Sequence, residues 1–235
     1  MRLSFVTLFP ELVLGALRHS ILLRAESSGR VEFRAANPRD FATDAHRTVD
    51  DRPAGGGPGM VLRADRVADA FQSLNPDPHA EVIFLDPNGE VFDQRIAREL
   101  SQAPEVVFLC GHYEGIDDRV RERLATRTLS LGDFILTGGE LASLVIADAV
   151  VRLIPGVLGS AQSLEVDAHA DGLLSGPNYT SPVEWEGLSI PEVLRSGDHQ
   201  AASRWRRRWS LQSTRERRPE LFCRAPLSRA DLDLL

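Results

Sequence analysis

Three apolar runs that each stop in glycine and polar residues constrain this chain most. They are residues 82–89 (VIFLDPNG), 106–115 (VVFLCGHYEG) and 129–140 (LSLGDFILTGGE). A short apolar run bounded by turn residues reads as a strand buried on both faces. Three such runs with helical patterns between them predict a parallel α/β sheet. Ligands on such sheets lie beyond the carboxyl ends of the strands, which is where these glycines fall. There they leave backbone N–H and C=O groups bare for a flat, polar molecule.

The remaining pattern fills in around this sheet. Alternation over 2–8 predicts a first strand, and Pro10 opens a helix through about Arg24. A short strand follows at 31–34. Residues 37–60 are polar and glycine-rich, a long loop of the kind that is usually functional or disordered. A helix at 66–74, a strand at 81–86, a helix at 93–102, a strand at 105–110, a helix at 116–125 and a strand near 127–131 come next. Residues 141–154 form a buried apolar helix, and 190–235 look helical and basic. We expect one domain over 1–158, a flexible linker over 159–175 and a small helical basic domain over 176–235.

Composition narrows the function. No apolar stretch is long enough to span a bilayer, and residues 1–13 have no small-residue cleavage site, so neither membrane nor signal peptide is expected. Cys110 and Cys223 lack zinc-ligand neighbours, which predicts a cytoplasmic protein without structural zinc. Residues 55–59 (GGGPG) lack the lysine and Ser/Thr of a P-loop, and no GxGxxG follows the first strand. Nucleotide hydrolysis and hydride transfer are therefore disfavoured.

Charge points elsewhere. The chain carries −7 overall, yet residues 204–218 (RWRRRWSLQSTRERR) hold seven arginines and one glutamate, a local +6. A dense cationic block on an acidic protein is a localised polyanion surface, and a nucleic-acid backbone is its natural partner. Trp205 and Trp209, at i and i+4, share one face and are expected to pack. Most carboxylates near the strand ends, including Asp117, Asp118 and Glu140, read as solvated charges or helix caps. Glu114, within a glycine-flanked strand end, and Asp167, in the expected linker, stand apart as candidates for chemistry.

Longer segments resemble a known family. SFVTLFPE (4–11), NPRDF (37–41), HRTVDDRPAGGGPGM (46–60), CGHYEGIDDRV (110–120), LGDFILTGGELA (131–142), RLIPGVLG (152–159), DGLLSGPNYTSP (171–182), VLRSGDH (193–199) and RRPELF (217–222) are similar to the bacterial tRNA (guanine-N1)-methyltransferases. Ala54 and Phe134 stand where many relatives carry tyrosine. The resemblance implies a knotted, SPOUT-class fold in which loops 85–89, 110–114 and 131–139 form a deep trefoil knot gripping S-adenosylmethionine, an exception to the rule against knots. It implies cofactor contacts from Leu85, Pro87, Gly111, Tyr113, Glu114, Leu131, Gly132, Asp133, Phe134, Ile135, Leu136, Gly138 and Gly139. It also implies Asp167 as general base, Arg152 as stabiliser of charge on guanine O6, and Asp50 as a reader of the neighbouring base. Arg206, Arg207 and Arg208 would hold the tRNA. A homodimer with shared sites and a dependence on Mg2+ are implied as well, without metal ligands being identified. Two alternatives stay open: a knotted methyltransferase acting on another RNA site, and a nonenzymatic RNA-binding protein.

Overall fold

A computed structural model describes residues 1–159 and 167–235. The chain divides into two compact units, Met1–Gly159 and Ser160–Leu235.

The first unit is an α/β fold around a five-stranded parallel sheet. In chain order its main elements are β1 (Arg2–Val6), α1 (Pro10–Leu17), α2 (Ser20–Ser27), β2 (Glu32–Ala36), β3 (Asp50–Asp51), β4 (Val61–Leu62), α3 (Ala64–Ser73), β5 (Glu81–Val91), α4 (Gln94–Leu100), β6 (Glu105–Leu109), α5 (Asp118–Leu124), β7 (Arg127–Ser130) and α6 (Glu140–Val151). The sheet order is β2-β1-β6-β5-β7. β6 thus inserts between β1 and β5, and the chain then crosses β5 to lay β7 on its far side. β3 and β4 form a separate antiparallel ribbon.

Burial on both faces explains the continuous apolar runs. Phe5, Ile83, Val106 and Phe108 point to one layer, where they meet Val13, Leu17, Ile96 and Ile146. Val6, Val82, Phe84, Val107 and Leu109 point to the other, against Val67, Ala70 and Val120. Alternate residues of one strand therefore serve two cores, as a parallel sheet with helices on both sides requires. The rings of Phe5 and Phe108 stack at 5.1 Å in the first layer. Phe108→Ala is expected to destabilise the fold by about 3–5 kcal/mol. A urea melt would show this as a lower midpoint with an unchanged slope.

The helix expected from Pro10 to Arg24 is two helices. The chain breaks at Arg18 and His19, and Ser20 takes φ 50°. On one continuous helix Leu17 and Leu22 would lie about 140° apart around the axis. The break lets both enter the same core. The long loop at 37–60 contains a 3-10 turn, Pro38–Phe41, and the strand Asp50–Asp51. Asn37 caps that turn by accepting the Arg39 N–H at 3.0 Å.

The second unit contains a two-stranded ribbon, Glu184–Trp185 with Leu188–Ser189, and helices Glu192–Arg195, His199–Arg217, Pro219–Arg224 and Arg229–Leu232. Asp198 caps the long helix by accepting the Ala201 N–H at 2.9 Å. Ala202 and Leu211 are buried on it, whereas Trp205 and Trp209 are half-buried, so the tryptophans fill less of the interior than expected. Trp205 lies 6.4 Å from the ring of Tyr179, and the Arg217 guanidinium sits 5.6 Å above Trp209. Residues 171–174, placed by sequence in the linker, lie against this helix: the Leu174 N–H donates to Thr214 Oγ1 at 2.9 Å, and Leu173 is buried. Residues 160–166 of the expected linker fall outside the described residues. No helix among the described residues is long and apolar enough to cross a membrane.

Candidate active site

The three glycine-ended segments converge where β5 leaves the sheet after Leu85 and at the carboxyl ends of β6 and β7. β5 pairs with β7 on both sides of an outward excursion, because Leu129 is opposite both Leu85 and Glu90. Residues 86–89 therefore leave the sheet as a loop and return to it. A Cβ on Gly89 would lie 2.7 Å from the backbone of Thr128 and Leu129, so no other residue fits where the chain re-enters.

The second and third segments are zipped together. The Gly139 N–H donates to the Gly111 carbonyl at 2.8 Å, and His112 bridges to Gly138. A Cβ on Gly139 would come within 2.9 Å of Cys110 Cα, and one on Gly138 would strike the Glu140 carboxylate and the His112 ring. Both glycines are thus demanded by the approach of one loop to another. Gly111 differs, since the nearest atom to an added Cβ is Gly115 Cα at 3.4 Å.

These loops enclose a cavity of about 250 Å3. Of the sequence-predicted cofactor residues, Leu85, Pro87, Gly111, Tyr113, Glu114, Leu131, Phe134, Ile135, Leu136, Gly138 and Gly139 line it. Gly132 and Asp133 do not. Gly132 makes the turn, exchanging hydrogen bonds with Ser130 Oγ at φ 141°, and Asp133 faces solvent. Asp86, His112 and Thr137 also line the cavity although sequence reasoning did not single them out. The signal available for them was their position inside the same three segments.

Under this wall lies a buried carboxylate. Glu140, read from sequence as a solvated charge or cap, is 5% exposed and accepts the Thr7 hydroxyl at 2.7 Å. Its other oxygen is 4.0 Å from His112 Nδ1. Burial first, and then Glu140, push the Cys110 thiol far above its ordinary range. Cys110 is buried in the first core layer, where it packs as a small apolar side chain. Asp117 does cap α5, accepting the Arg119 N–H at 3.0 Å.

A wider groove of about 1210 Å3 adjoins the cavity through Glu114 and is lined by Asp51, Arg52, Arg63 and Arg123 among others. The glycine-rich loop delivers its backbone here: the Glu114 N–H donates to the Met60 carbonyl at 3.0 Å, and Gly59, at φ 81°, leaves room for the Glu114 side chain. Asp50 is half-buried on the β3–β4 ribbon opposite Leu62, and it is the adjoining Asp51 and Arg52 that line the groove.

The other predicted residues are not among those that line this cavity. Arg152 ends α6 in the first unit. Asp167 belongs to the second, where its carbonyl accepts the Ala170 N–H at 3.2 Å. Arg206 and Arg208 are exposed on the long helix. Arg207 turns inward instead, donating from Nε to Asp231 at 2.6 Å and from Nη1 to Asp171. Among the described residues no three His, Cys, Asp or Glu side chains gather as a metal site.

The family model described as tRNA (Guanine-1)-methyltransferase TrmD matches residues 1–224. The chain belongs to this family. Three relatives, each named tRNA (guanine-N(1)-)-methyltransferase, align with the whole chain. The one from Chloroflexus aggregans is 50% identical over 94% of its own length. Those from Dehalococcoides mccartyi and Staphylococcus epidermidis are 49% and 47% identical, each over 96%. The glycines with no room for a side chain therefore sit in the first unit of a chain of this family.

Proposed function

We propose that this chain transfers a methyl group from S-adenosylmethionine to N1 of the guanosine 3′ to the anticodon, position 37 of tRNA. The observation that carries the reading is the cavity where the three glycine-ended segments converge, in a chain of this family. Its walls suit the donor. Leu85, Leu131 and Leu136 offer apolar surface for a flat base, the loop backbone offers hydrogen bonds, and the nearby carboxylates of Asp86 and Glu114 complement a cation. Bound there, S-adenosylmethionine would supply an electrophilic methyl carbon on a sulfonium.

The chain's residues do the rest. Guanine N1 carries a proton and is a poor nucleophile until it is lost. Asp167 accepts that proton as N1 forms its bond to the methyl carbon and the carbon–sulfur bond breaks. Such a base contributes roughly 10²–10⁴-fold. Arg152 stabilises the negative charge that develops on O6. Asp50 helps to read the neighbouring base. The family's dependence on Mg2+ finds no cluster of three His, Cys, Asp or Glu side chains to hold the ion among the described residues.

The trefoil knot is part of the same reading. It is supported by the insertion of β6 between β1 and β5, the crossing to β7, and the glycine contacts where one loop passes another. A homodimer is supported by apolar side chains left exposed on the first unit. Phe9 at the N-cap of α1, Leu12 of α1, and Leu141 and Val145 of α6 are exposed, as is Ile135 at 78%, and the two helices pack together.

Arg206 and Arg208 supply phosphate contacts. Changing both to alanine is expected to weaken tRNA binding and lower the slope of log affinity against log salt by about two, one per contact. A filter-binding salt series checks this. The activity itself is tested by methylating unfractionated tRNA with labelled donor and mapping the product. Label at N1 of the guanosine following the anticodon is expected; label at another nucleotide, or none, overturns the proposal.

A further inference from the structure

The long helix presents three polar side chains to the segment that follows Asp167. Arg207, Ser210 and Thr214 lie at i, i+3 and i+7 and so share one face. Arg207 Nη1 donates to Asp171. Ser210 Oγ donates to the Leu174 carbonyl, and Thr214 Oγ1 accepts the Leu174 N–H at 2.9 Å. The segment closes on itself as well. The His169 N–H donates to the Leu173 carbonyl at 2.8 Å, and the Leu173 N–H donates to Asp171 Oδ1 at 3.3 Å. Leu173 fills the loop's underside at 1% exposure.

Arg207 is itself held from behind. Asp231, buried on the last helix, takes Nε at 2.6 Å and Nη2 at 3.0 Å in a bidentate pair. The same carboxylate accepts the Ser228 N–H at 2.9 Å and its hydroxyl at 2.7 Å, completing a capping box. These contacts hold the Asp231 carboxyl far below the ordinary carboxylate range, with the Arg207 hydrogen bond the largest cause. The guanidinium thus has a fixed position and one arm left for Asp171, four residues beyond Asp167.

We infer that Arg207 is a positioning residue: it clamps the loop that carries Asp167 onto the long helix through Asp171, rather than binding RNA phosphate with its neighbours. A guanidinium engaged by two carboxylates has little positive potential to offer a polyanion, whereas the exposed Arg206 and Arg208 keep theirs. The inference rests on Asp167 being the base.

Single-turnover methyl transfer at saturating tRNA, together with tRNA affinity over a salt series, tests it. Arg207→Gln is expected to slow transfer roughly 10- to 100-fold through misplacement of the base, while affinity stays within twofold and the salt slope is unchanged. Arg207→Lys keeps a cation between the carboxylates but loses the fork, and should recover only part of the rate. Asp171→Asn leaves the Arg207–Asp231 pair and the Ser228 cap intact, so it reports on the clamp even where Arg207→Gln fails to fold. It should show the same split. A salt slope lowered by about one with an unchanged saturating rate would make Arg207 a phosphate ligand and overturn the inference. Asp167→Asn run alongside separates the layers. If it abolishes transfer while Arg207→Gln and Asp171→Asn both match wild type, the clamp falls and the base stands. If Asp167→Asn transfers normally, the base assignment has failed, and the clamp's catalytic role fails with it.

Discussion

Asp167→Asn is expected to abolish methyl transfer while donor and tRNA still bind. The amide keeps the shape of the carboxylate and cannot take a proton at neutral pH. The rate should fall by roughly 10²–10⁴-fold, the usual contribution of a general base. Donor binding should not change, since the cavity that would hold it is built entirely from residues of the first unit. Rapid-quench single turnover measures the rate, and calorimetric titration measures the donor. A variant within a few-fold of wild type would reduce Asp167 to an ordinary charge of its segment.

A second large effect is expected from mixing two inactive proteins. If the cavity of one subunit works with the Asp167 of its partner, Asp167→Asn and a variant with a filled cavity complement each other. Gly111→Val is the suitable second variant. Gly111 lines the cavity, and an added Cβ there has its nearest neighbour at 3.4 Å, an ordinary contact that leaves the backbone in place. Gly139→Val would be a poor choice, because its Cβ would collide with Cys110 Cα and disturb the fold. After random subunit exchange half of the dimers are mixed, and each carries one complete site. Roughly a quarter of the wild-type activity should return from a background near zero. Heterodimers verified by differential tags but without activity would show that each subunit builds its own site.

Both experiments depend on residues that the sequence singled out, and others were visible only in three dimensions. The apolar runs at 82–89 and 106–115 declared strands buried on two faces, since a strand with one wet face would alternate. Their glycine ends marked the cavity, because a parallel sheet leaves its loops at the carboxyl edge. Long motifs such as CGHYEGIDDRV carried the family. These properties are written within short windows, where local spacing and composition suffice.

Properties that depend on distant partners were not legible. Gly139 looks like a residue kept small for a ligand, yet the atom that excludes a side chain is a backbone carbon of Cys110. Glu140 looks like a solvated charge, but the Thr7 hydroxyl, 133 positions away, receives it in the interior. In a run of three arginines nothing local distinguishes the middle one. Arg207 turns inward because Asp231 and Asp171 lie 24 and 36 positions away along the chain and meet at its guanidinium. Sequence by itself determined the sheet, the family and the edge where the cavity opens, since periodicity and motif are local. Only the tertiary structure decided which glycines serve the fold, which carboxylate is buried and which arginine is held, since burial and ion pairing are made by side chains far apart in the chain.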